Sequence, residues 1–115
     1  MVGDVLLLRM SGPLTAQVLD GFAADAMAKH AHEAKGFILD YRPGLLVATA
    51  DQLGEMLERM PAESPMRRPG AFVGSPGSLK TLQLHARHMG RAGIWRRVFV
   101  DTMTAHDWIL ERLRG

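Results

Sequence analysis

Two aspartates stand where open α/β sheets often keep their ligands. Asp40 lies at the end of the apolar run Phe37–Tyr41, and Asp101 closes Val98–Asp101. Two carboxylates at strand ends have the chemistry of an acid–base pair. Asp101-Thr102 equally suits a helix start, where a carboxylate or hydroxyl satisfies free amides. The chain has no cysteine, and no serine sits in a G-x-S-x-G elbow. No set of nucleophile, base and oxyanion donors can be assembled, so the sequence predicts no enzyme, no catalytic residue and no cofactor.

The stretch G-S-P-G-S-L-K-T, Gly74 to Thr81, falls between a strand pattern and a helix pattern but is not a phosphate loop. Leu79 stands directly before Lys80, where that loop needs a glycine. An anion-binding alternative stays open, with Ser75, Ser78, Lys80 and Arg87 around the start of the third helix. Against it stands plain turn chemistry, with Ser78 as an N-cap. His85 and His88 are spaced i, i+3, and His30 and His32 flank Ala31. A metal site wants a third ligand and a carboxylate behind it, so solvated or partly packed histidines are expected and no metal. Thr49-Ala50-Asp51-Gln52 has the Thr-x-x-Gln spacing of a capping box, with Asp51 in the first turn.

The elements that position these residues follow from hydrophobic period. Strands are predicted at Asp4–Met10, Phe37–Tyr41, Ala71–Gly74 and Val98–Asp101. Helices are predicted over Leu14–Ala34, Ala50–Met60, Leu79–Ala92 and Thr104–Leu113. The first carries the stripe Val18, Phe22, Ala26, His30 and is stopped by Gly36. The second carries Leu53, Met56, Leu57, Met60 and is stopped by Pro61. The third is aligned on Leu82, Ala86 and Met89, and the fourth buries Ala105, Trp108, Ile109 and Leu113. Pro61 to Gly70 reads as a loop, and Met56, Met60 and Met66 as core positions more readily than as a pliable partner surface. Strand–helix alternation with short connections predicts an α/β fold: one domain, 1–115, with a small, largely parallel sheet of about four strands and about four helices.

Composition agrees with a globular chain, at 47% apolar and 23% charged residues. The lack of cysteine excludes disulfides and thiolate metal sites. The run Val5–Leu8 is too short for a signal peptide, and no stretch approaches a membrane span, so a cytoplasmic location is expected. Charge is unevenly placed: residues 1–60 hold five Lys/Arg against eight Asp/Glu, a balance of −3, and residues 61–115 hold nine against four, a balance of +5. Ser64 through Val100 has no acidic residue, yet carries Arg67, Arg68, Lys80, Arg87, Arg91, Arg96 and Arg97. A solvated basic face, a small anionic ligand or a lipid headgroup would each suit that field. Nucleic acid is not expected, since no docking motif or aromatic interleaving organises these residues.

V-L-L-L-R-M-S-G-P-L-T, G-F-I-L-D-Y and L-G-E-M-L resemble the STAS domain of bacterial anti-sigma-factor antagonists. A-F-V-G-S-P, R-R-V-F-V-D and A-H-D-W-I-L extend the likeness over nearly the whole chain, toward a STAS-like branch closing with an Ala-x-x-Trp-Leu-type helix. The resemblance implies a non-enzymatic module that docks a protein beside the start of its second helix. Here that surface comprises Pro43, Gly44, Thr49, Asp51 and Gln52. In the antagonists the helix start reads Asp-Ser-Ser-Gly-Leu, and phosphorylation of the second serine breaks the complex. Aligned on Leu53-Gly54, that serine falls on Asp51, and no residue of the switch is matched. The antagonists also carry an extra first strand; only Met1–Gly3 precede the strand predicted at Asp4–Met10 here, so an open sheet edge and a homodimer are further expectations.

Overall fold

A computed structural model describes residues 4–29 and 33–114. Its frame is a four-stranded sheet of β1 (Val5–Arg9), β3 (Gly36–Asp40), β5 (Gly70–Val73) and β6 (Arg96–Phe99), adjacent in that order. Every pairing is parallel, with Leu7 opposite Ile38, Ile38 opposite Ala71 and Ala71 opposite Arg97. A second, two-stranded sheet joins β2 (Gly12–Leu14) to β4 (Gly44–Leu46), also in parallel. The helices are α1 (Ala16–Lys29), α2 (Ala50–Glu58), α3 (Leu79–Arg91) and α4 (Thr102–Arg114).

Side-chain alternation along the strands divides the core into two layers. Phe37, Leu39 and Phe72 join Leu19, Leu53, Leu82 and Met89 of α1, α2 and α3. Ile38, Ala71 and Val73 face the other way and meet Ala105 and Ile109 of α4. Three helices therefore cover one face of the sheet and a single helix covers the other. α4 packs over β3, β5 and β6, which leaves Leu7 of β1 at the edge of that face 37% exposed.

The α/β architecture agrees with the sequence, and the differences have local causes. The first helix is described over Ala16–Lys29 and has given way to a turn by Glu33, and Gly36 begins β3 where a helix-stopping role was expected. A Cβ at Gly36 would lie 2.9 Å from Ile109 Cγ2 and 3.1 Å from the Pro69 carbonyl, so close packing under α4 is what requires glycine. The inward stripe of α1 runs through Leu19 and Ala26, while Val18 is 38% exposed. His30 and His32 lie outside the described residues. Leu14, expected in the first helix, belongs to β2 and is fully buried. The proline-rich loop holds one 3-10 turn, Pro65–Arg67, which drives Met66 into the core beneath a Ser64 hydroxyl that accepts from the Met66 amide.

Candidate functional site

The strand-end carboxylates are both engaged. Asp40 is 1% exposed, shielded by an Arg42 side chain that itself reaches solvent. Its Oδ1 accepts from the Arg42 amide at 3.0 Å and from Nε at 2.9 Å, and its Oδ2 from Nη2 at 2.9 Å. Arg9 adds a longer contact at 3.9 Å. Burial alone would raise the Asp40 pKa, but the Arg42 hydrogen bonds and the charges of Arg42 and Arg9 hold it below the usual carboxylate value. Asp101 sits immediately before α4. It accepts from the Thr104 amide at 2.7 Å and from the Thr104 hydroxyl at 3.0 Å, which lower its pKa. This is the capping arrangement that the Asp101-Thr102 pair suggested.

The start of α3 is arranged differently from its expected cap. Ser78 occupies the N-cap position but makes no side-chain cap bond. Its Oγ instead donates to the Ser75 carbonyl at 3.1 Å and accepts from the Ser75 amide at 3.2 Å. The hydroxyl is thus spent within the turn and is 5% exposed, while Lys80 and Arg87 project outward.

Along the segment that runs from β4 into α2, Pro43, Thr49, Asp51 and Gln52 are exposed and Gly44 is half-buried. The capping box forms in full: Thr49 Oγ1 accepts from the Gln52 amide at 3.2 Å, and Gln52 Oε1 accepts from the Thr49 amide at 3.0 Å. The first turn of α2 is rigidly begun by local chemistry, with Asp51 exposed beside it. Gly44 lets β4 press onto β2, since a Cβ there would lie 2.7 Å from Leu14 Cδ1 and 2.9 Å from the Gly12 carbonyl. Alternation then turns Leu45 and Val47 outward, 70% and 50% exposed, with Ala48 buried behind them.

A second locus was not legible in the sequence. Beneath α1, α2 and α3 lies a cavity of about 90 Å³, lined mostly by apolar side chains, among them Met10, Met56, Met60, Met66 and Met89. Three polar side chains join that lining: Tyr41, His85 and Arg96. They gather around Phe72. His85 stacks on its ring at 5.4 Å, Tyr41 meets it edge-on at 5.8 Å, and the Arg96 guanidinium lies 5.9 Å from its centroid. The histidine expected to be solvated or only partly packed is 8% exposed, because His85 falls on the same face of α3 as Leu82 and Met89. Burial and the positive charge of Arg96 depress its pKa to about 4, so the ring is neutral. Burial pushes the Tyr41 phenol up to about 12. Arg96 donates to the carbonyls of Arg68 and Trp95 at 2.6 and 2.9 Å and to that of Met66. Desolvation lowers its pKa to about 10. The one available hint was period: in R-R-V-F the inward-facing Val98 places Arg96 on the inner face as well.

Among the described residues no group of three or more His, Asp or Glu side chains is placed to hold a metal, and no helix is long and apolar enough to cross a membrane. No protein-family model matches the chain, and no curated protein matches it at a significant level.

Proposed function

We propose that the chain is a non-enzymatic, STAS-like interaction module that docks a protein partner at the corner between β4 and α2. The observation that carries this reading is the joint exposure of Leu45, at 70%, and Val47, at 50%, immediately before the capped start of α2. Exposed apolar side chains clustered at one place favour contact with a partner, whereas scattered ones need no explanation. β4 pairs with β2 alone among the described residues, so it also offers an open backbone edge. Asp51, Glu55 and Glu58 are exposed along α2, so the fitting partner face has an apolar centre and a basic rim.

The combined variant Leu45→Asp, Val47→Lys tests the reading. Both side chains are largely solvated, so stability should stay within about 0.5 kcal/mol of the native chain. Partner affinity, measured by titrating the captured partner against both proteins, should fall by roughly tenfold or more. Undiminished affinity would overturn the proposal. Asp51→Lys should weaken the complex more than Asp51→Ser, and equal binding by the two would remove the basic rim from the account.

A further inference from the structure

The cavity beneath α2 carries an inference independent of the docking corner. Arg96 is a half-buried cation without a counter-ion. Its side chain reaches three main-chain carbonyls, yet among the described residues no carboxylate lies within ion-pair distance of it. Its Nε is enclosed and has no hydrogen-bond partner, and neither has Nδ1 of His85 on the same cavity wall. Buried polar atoms are rarely left unpaired, and a buried charge is normally paired as well. The position of Arg96 is also built. Gly70 lies opposite it in the sheet, and a Cβ there would come within 2.8 Å of Arg96 Cζ and Nη1. Only glycine leaves the guanidinium its path over β5, and three carbonyls then fix it there.

We infer that the cavity binds a small apolar carboxylate, with its charged end at Arg96 and its hydrocarbon among the methionines. The guanidinium Nε–H supplies a charge-assisted donor to the carboxylate. Tyr41, neutral across the physiological range, provides a phenol on the same wall. His85 is neutral too, so its ring adds a polar edge without competing for the anion. Size restricts the apolar part. An apolar cavity of about 150 Å³ takes up benzene, and this one measures about 90 Å³. By that ratio the space holds a chain of about four carbons as it stands, and displacement of the flexible methionines admits a fifth or sixth. A phosphate or sulfate would leave the hydrocarbon wall unfilled and bring a more strongly hydrated charge into it.

Sodium hexanoate, 1-hexanol and inorganic phosphate distinguish the possibilities at neutral pH. Calorimetric titration of the full chain should give hexanoate an affinity roughly 10–100-fold above that of hexanol, as expected for one or two charge-assisted hydrogen bonds. In the nitrogen-15 spectrum the Arg96 Nε–H signal should shift saturably with hexanoate and stay in place with phosphate. Ala23→Leu, which fills the cavity from α1 without touching a polar group, should abolish binding of both acid and alcohol while the native spectrum persists. Gly70→Ala should displace the guanidinium and bring the acid down toward the alcohol. Equal binding of hexanoate and hexanol to the native chain would overturn the inference. So would an Arg96 signal unmoved by hexanoate, or one moved equally by phosphate.

Discussion

At the scale of single residues, charge placement decides what each polar group can do. Asp40 ends β3 and Asp101 lies in the connection after β6, but one is clamped by Arg42 and the other caps α4. His85 is a histidine whose burial is expensive once it carries a proton. Its folded pKa of about 4 lies below the ordinary histidine value of 6.5. The unfolded chain therefore binds a proton that the folded chain refuses, and stability falls as pH drops from about 6.5 to about 4. Chemical denaturation at pH 7.5 and 4.5 should show a loss of roughly 1–3 kcal/mol. His85→Phe keeps a ring against Phe72 and should remove most of that difference. A slope unchanged in the variant would place the titration elsewhere. Losses at still lower pH belong to Asp40 and Asp101, whose depressed pKa values make stability fall only as pH passes below the ordinary 3.8.

At the scale of elements, legibility followed length and period. The four long apolar runs and the four amphipathic segments were visible because each repeats its pattern over at least a full turn or two pleats. The second sheet was not, because Gly-Pro-Leu and Gly-Leu-Leu are too short to display any alternation. The end of α1 was overshot because Gly36 has the appearance of a helix stop, while its actual constraint is Ile109, distant in sequence. The capping box at Thr49–Gln52 was readable because its chemistry is wholly local. Tyr41, His85 and Arg96 share a cavity only after β3, α3 and β6 have packed, and no sequence spacing announces that. The small sheet positions the corner proposed for docking, so Gly44→Ala should weaken that sheet directly. The added methyl meets Leu14 and the Gly12 carbonyl, and thermal unfolding should register a destabilisation of roughly 1–3 kcal/mol. A native melting temperature would mean that β4 does not depend on its close approach to β2.

At the scale of the whole molecule, the fold separates two surfaces by the layer of α1, α2 and α3. The apolar corner of Leu45 and Val47 faces outward at the start of α2, and the Arg96 cavity lies behind the same helix. α2 borders both, contributing its capped first turn to one and Leu53, Met56 and Leu57 to the other. Trp95 and Val100 are also exposed, and Met103, the most exposed of these at 77%, lies at the start of α4 and provides an internal comparison. Exposure alone would make Met103 the better contact; the proposed function assigns contact to the corner instead. The most direct measurement places a photo-reactive side chain at position 45 or at position 103 and irradiates each protein in the cells that make it. A discrete crosslinked protein at position 45, absent at position 103, is the predicted result. Crosslinks equal at the two positions, or none at position 45, would contradict an interaction module built on the β4–α2 corner.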